Sequence, residues 1–145
     1  MRGDKYVIVH VDDSPTAREL VRESLVEAGF EVHSAEDAQS LERLLLDAPD
    51  LRNDLDLLVL DMEMPDMMGA QVGAVVMEVY PELERKPFII YSGKDEDWVE
   101  KMSREVASMS EAFTRNFKGY QAKEPGAAER LVRMINSILK NQPGT

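Results

Sequence analysis

Short apolar runs that stop at charge alternate along the chain with longer segments whose apolar residues recur every three or four positions. Tyr6 to Val11 is rich in β-branched residues, the pattern of a strand covered on both faces, and it stops at Asp12-Asp13. Ser14-Pro15 then predicts an N-cap followed by proline at the first helical position, with Ala17, Leu20, Val21, Leu25 and Ala28 on one face and Gly29 closing the helix. Phe30 to Ala35 is a second strand candidate. Ala38, Leu41, Leu44 and Leu45 repeat at helical spacing before Pro49, and a polar loop is expected over Asp50 to Asp54.

Leu55 to Leu60 is the most apolar strand candidate, and it runs straight into Asp61. After a turn containing Pro65 and Gly69, Val72, Val75, Val76 and Val79 form a helical stripe that Pro81 ends. Pro87 to Tyr91 predicts a fourth strand, closing at Ser92-Gly93. From Asp95 to Phe117 the pattern is helical, with Trp98, Met102, Val106, Met109, Phe113 and Phe117 at spacings of about four. Gly119 to Ala122 is a weak fifth strand, and Ala127, Leu131, Met134, Ile135, Ile138 and Leu139 describe a last amphipathic helix. Five such units predict an α/β fold: an open, doubly wound, five-stranded parallel sheet with helices on both faces. Ligands in such folds gather at the carboxyl ends of the strands.

Composition narrows the function. The 145 residues are 43% hydrophobic, enough for one buried core, so a single domain over residues 1–145 is expected, with its core at about 5–140. With 28 acidic and 17 basic residues the net charge is −11, which argues against a nucleic-acid surface, where phosphates call for clustered Lys and Arg. The absence of cysteine excludes disulfides, thiolate ligands and cysteine nucleophiles. No apolar stretch is long enough for a signal peptide or a membrane span, and a cytoplasmic location is the expectation.

The strand ends carry the chemistry. In order they supply Asp12 and Asp13, Asp61, Ser92 and Lys123. Three carboxylates brought together repel unless a hard cation neutralises them, and an oxygen-only set suits Mg²⁺, which shares its coordination with phosphate oxygens. A carboxylate can then attack phosphorus to give an acyl phosphate, with a lysine ammonium and a serine hydroxyl stabilising the transferred oxygens.

These residues resemble the receiver domains of two-component response regulators, the chemotaxis regulators among them. Asp12-Asp13 follows the first strand. Asp61-Met62-Glu63-Met64-Pro65-Asp66-Met67-Met68-Gly69 fits the family pattern of phosphoacceptor Asp, then Met-Pro at the third and fourth following positions, then Gly at the eighth. Ser92 stands where the family keeps Ser or Thr, and Lys123 where it keeps its lysine.

The resemblance implies a flavodoxin-like strand order 2-1-3-4-5 and Asp61 phosphorylated by a sensor histidine kinase or phosphotransfer protein. It further implies Mg²⁺ at Asp12, Asp13, Asp61 and Glu63, and a switch through Ser92 and Tyr120 toward a downstream protein partner, with a homodimer as one option. Glu63 and Lys94, two residues after Asp61 and Ser92, occupy positions that flank the phosphoryl group in the family, and their charges suit a gate across the site mouth. Such a domain catalyses only its own phosphorylation and dephosphorylation. Two features depart from the pattern. Glu124 intervenes between Lys123 and Pro125, so that a cis bond fits only at Glu124-Pro125, and the Ser92 to Lys123 interval is longer than the family norm.

Other readings stay open. A haloacid-dehalogenase-like phosphohydrolase also uses a strand-end aspartate, but it wants a second aspartate where Glu63 stands. A pseudo-receiver would bind a partner without phosphorylation. His10 and His33 lie on strand candidates without the paired spacing of metal ligands and read as structural, and the Met-rich turn, Met62, Met64, Met67 and Met68, reads as loop packing. A helix over Asp95 to Phe117 would rise roughly 33 Å against the 17 to 20 Å or so of a short strand. Either it breaks near Ser108 and Ser110 and folds back onto the core, or its surplus turns form a docking face with an acidic rim.

Overall fold

The computed structural model describes residues 5–141. Five strands, β1 (Val7–Val11), β2 (Glu31–Ala35), β3 (Leu57–Leu60), β4 (Phe88–Ser92) and β5 (Phe117–Ala122), pair in parallel in the order β2-β1-β3-β4-β5. Strand order and pairing are those expected. Between them run α1 (Pro15–Glu27), α2 (Ala38–Asp47), α3 (Pro49–Asp54), α4 (Gly69–Val79), a 3-10 turn (Pro81–Leu83), α5 (Glu96–Ala107), α6 (Glu111–Asn116) and, last, α7 (Ala127–Lys140).

The inner strands are apolar on both sides because helices cover both sides. Alternate residues divide them between two cores. Ile8, Leu57, Val59 and Ile89 pack with Val21 and Leu25 of α1 and Leu131 and Ile135 of α7. Val9, Val11, Leu58, Leu60 and Ile90 pack with Leu41 and Leu45 of α2, Val72 and Val76 of α4, and Val99 and Phe113 from α5 and α6. In register, His10 lies opposite Val59 and Leu60 opposite Ile90, so the ends of β1, β3 and β4 come level.

Local chemistry explains the helix ends. Ser14 caps α1 by accepting the Ala17 N–H at 3.2 Å, Pro15 follows, and Gly29 takes φ +98° where the helix stops. Gly73 lets α4 lie close on the sheet, since a Cβ there would stand 2.7 Å from the Phe88 ring.

Three expectations need correction, and one open alternative is decided. Asp50 to Asp54 is helical, because Pro49 starts a turn that drops Leu51 into the core. Leu20 points outward. The stripe on α4 is turned too, with Val75 and Val79 exposed and Ala70, Val72, Ala74, Val76 and Met77 buried, since a helix pressed on a sheet buries only the arc that faces it. The segment from Asp95 to Phe117 is two helices with a corner at Ser108–Ser110, and Phe117 begins β5. Ser110 caps α6 by accepting the Phe113 N–H at 3.1 Å and donates to Glu78 Oε1 at 2.9 Å. Phe113 then stacks on Phe117 and meets Phe88 edge-on, leaving Met109 81% exposed at the corner. The folded-back reading of this segment is the one observed. No peptide bond among the described residues is cis, Glu124-Pro125 included. Among them no helix is long and apolar enough to cross a membrane.

Candidate functional site

The carboxyl ends of β1, β3, β4 and β5 bring together Asp12, Asp13, Asp61, Ser92 and Lys123. Backbone bonds that extend the sheet ladder fix them. The Asp12 N–H donates to the Ala35 carbonyl at 3.0 Å, Asp61 to Val11 at 2.9 Å and Lys123 to Ser92 at 2.9 Å. Asp12 and Asp61 are buried and Asp13 is exposed at the rim. The glycine beyond the turn matters as much, because a Cβ on Gly69 would collide with the Asp61 carbonyl oxygen.

One oxygen from each of Asp12, Asp13 and Asp61 lies within 4.8 Å of the others. Three hard anionic oxygens at this spacing fit a divalent cation such as Mg²⁺. On the inner side Lys123 Nζ stands 2.7 Å from Asp12 Oδ2 and 3.6 Å from Asp61 Oδ1, over the Tyr91 ring. Glu124 thus leaves the reach of Lys123 intact, because the insertion comes after the residue that Ser92 already anchors.

The electrostatics differ between the two buried acids. Burial pushes Asp61 up to about 7, against the pull of Lys123 and with the help of the negative Asp12 and Asp13. For Asp12 burial works in the same direction, but the nearby His10 ring, the Lys123 ammonium and the Ser14 N–H outweigh it and hold its carboxyl below the usual range. Asp61 is therefore the acid that most lacks a partner.

Around this centre, Ser92 is fully buried and its Oγ accepts the Lys94 N–H at 3.2 Å. The Tyr120 hydroxyl lies 2.9 Å from the Lys94 carbonyl and 3.3 Å from that of Ser92. Lys94 Nζ meets Glu63 Oε2 at 2.7 Å across the mouth, which is the pairing their positions suggested. Glu63 thus turns its carboxylate to Lys94 and stands apart from the three clustered acids.

A family model for the response regulator receiver domain matches residues 8–118. The chain belongs to that family. Its fold is similar to that of the Vibrio cholerae chemotaxis protein CheY4, at 22% identity over 92% of this chain and 98% of the other, with a TM-score of 0.72. A two-component response regulator from Clostridium difficile gives a TM-score of 0.75 at 16% identity, covering 97% of this chain and all of its own. The Thermotoga maritima response regulator TrrA, solved in complex with Mg²⁺ and beryllofluoride, gives 0.70 at 22% identity over 92% and 98%.

Two residues of this receiver site, Arg18 and Tyr91, escaped the sequence reading, and a third, His10, was read there as structural only. Arg18 Nη1 donates to the Asp12 carbonyl at 2.6 Å, a backbone contact that no motif announces. Tyr91 offers the ring beneath Lys123. His10 Nε2 lies 3.5 Å from Asp12 Oδ2, and the two-residue spacing on a strand was the signal for it.

Proposed function

We propose that this receiver domain is a phosphoryl-accepting switch, with Asp61 as acceptor and Asp12, Asp13 and Asp61 as the carboxylates that hold Mg²⁺. The observation that carries the reading is the meeting of three strand-end carboxylates with Lys123 at the centre of the sheet's carboxyl edge. When bound, Mg²⁺ would neutralise the acids and the incoming phosphoryl oxygens. An Asp61 oxygen attacks phosphorus of a phosphohistidine on a kinase or phosphotransfer protein. The P–N bond breaks, its electrons and a proton stay with the imidazole, and an aspartyl phosphate forms. Lys123 and the Ser92 hydroxyl bind the transferred oxygens. Glu63, engaged by Lys94, would join the cation's shell only as that pair opens.

The switch reading rests on contiguity. A pull on the Ser92 hydroxyl moves the Ser92–Lys94 backbone, whose two carbonyls hold the Tyr120 hydroxyl. A few kcal/mol of bias between two packings is enough to carry such a change. The output is contact with a downstream protein, in the cytoplasm, with no nucleic acid or membrane involved, and residues 1–145 act as one domain. The haloacid-dehalogenase-like alternative loses its footing, because the carboxylate it needs as acid/base is paired to Lys94.

Incubation with acetyl phosphate and Mg²⁺, followed by intact-mass measurement, tests the reading. One added phosphoryl group is expected in the wild type and none in Asp61→Asn, whose amide is a poor nucleophile. Beryllofluoride with Mg²⁺ should move the NMR resonances of Tyr120. No mass change in the wild type would make the chain a pseudo-receiver, and a mass change retained in the variant would relocate the acceptor.

A further inference from the structure

His10 is the only ionisable side chain within β1, and it is wholly buried between Val9 and Val11. An apolar residue would suit such a position, since neither ring nitrogen has a full hydrogen bond and a buried polar ring without one opposes folding. Strand alternation puts the ring on the same side as Asp12, where Nε2 comes within 3.5 Å of Oδ2. A neutral ring has one N–H to give, and Asp12 Oδ2 is the acceptor near Nε2.

That oxygen is shared. Asp12 Oδ1 accepts the Ser14 N–H at 3.0 Å, while Oδ2 faces both Lys123 Nζ at 2.7 Å and His10. In the reaction proposed above, Lys123 turns to the phosphoryl oxygens on Asp61. Asp12 is fully buried, so Oδ2 then loses its cation in a place water does not reach. The His10 N–H is the donor left beside it. We infer that His10 is a positioning residue for the cation site: its Nε2–H fixes the Asp12 carboxylate and holds Oδ2 when Lys123 moves away. The inference rests on the proposed role of the three acids. It is the arrangement by which carboxylate ligands are commonly oriented, through partners one step out from the metal.

The test uses the whole chain with MgCl₂ alone, by titration calorimetry, and thermal melting in EDTA. His10→Val should weaken Mg²⁺ binding about tenfold. Its melting temperature should be unchanged or higher, because the poorly bonded ring is gone. His10→Gln keeps an N–H near the Nε2 position and should recover part of the affinity. A role in packing alone would lower the melting temperature and leave Mg²⁺ affinity alone, and equal affinities in wild type and His10→Val overturn the inference. Ring-nitrogen NMR on the wild type supplies a check independent of any variant. Protonated Nε2 with bare Nδ1 is expected, and the reverse tautomer overturns the inference even where His10→Val fails to fold. A wild type that takes up no Mg²⁺ overturns the reading of the three acids, and this one with it.

Discussion

Replacing Asp61 with asparagine should stabilise the fold at neutral and alkaline pH in the absence of a divalent cation. Asp61 is pushed from its ordinary 3.8 to about 7, so between those values the folded chain binds a proton that the unfolded chain releases. Stability must then fall as pH rises through that window and level off above it. The gap of about three pH units sets a ceiling of about 4 kcal/mol, at 1.36 kcal/mol for each tenfold change in proton affinity. Solvent at the open mouth and the Lys123 ammonium reduce it, and about 1–2 kcal/mol is the expected effect. Asparagine keeps the shape of the side chain without its titration, so the difference between wild type and variant isolates this one group. Urea unfolding in EDTA at about pH 5 and about pH 8 measures it: the advantage of Asp61→Asn should be small at the lower pH and open at the higher. Adding Mg²⁺ at the higher pH should close the gap by stabilising the wild type. An advantage of the same size at both pH values would refute the reasoning, because it would assign the effect to something other than the buried charge.

Two further outcomes are expected from the corner between α5 and α6 and from the mouth of the site. Phe113→Glu should lower stability by about 3–5 kcal/mol, whereas Met109→Glu should stay within roughly 0.5 kcal/mol; a melt that drops equally for both would contradict the folded-back arrangement. The Glu63–Lys94 pair is exposed and worth under about 1 kcal/mol, yet in the function proposed above it would lie across the approach of an in-line water. Glu63→Ala with Lys94→Ala should shorten the phosphoryl half-life, and an unaltered half-life would remove the gate.

Much of this was legible because the physics is local. Apolar runs that end in an acid announce both a strand and its carboxyl end, which is why Asp12, Asp61 and Lys123 could be placed together from their order. What was missed or left open lay where a local pattern has two tertiary solutions. Phe113 and Phe117 keep helical spacing, but the chain turns a corner before them and uses that spacing to stack two rings, one on α6 and one on β5. Leu51 is a lone apolar residue, too little to signal a helix until a core is there to receive it. Val75 and Val79 satisfy periodicity and still face outward, because which arc of α4 is pressed to the sheet depends on the small residues Gly69, Ala70 and Gly73. His10 reads as merely structural because the uniform apolarity of β1, covered on both faces, hides the alternation that pairs it with Asp12.

The departure at Glu124 shows how a site tolerates a changed motif. The position of Lys123 is fixed by its own N–H on the Ser92 carbonyl, and the ammonium is drawn in by two carboxylates, so the identity of the next residue has little hold on it. The same two carboxylates bear on the switch proposed above. Asp12 already has its hydrogen bonds and its cation, whereas Asp61 is left with a long contact to Lys123 and a pKa raised by burial. The protein thus carries at Asp61 an unfavourable buried charge, and in the function proposed above a divalent cation would relieve it, a relief available only to the state that binds the ion. In the function proposed above, Lys123 could not serve Asp12 and a phosphorylated Asp61 equally well, so occupying one site would loosen the other. The groups that would then hold Asp12, the Ser14 N–H on Oδ1 and His10 beside Oδ2, would set how freely the lysine leaves.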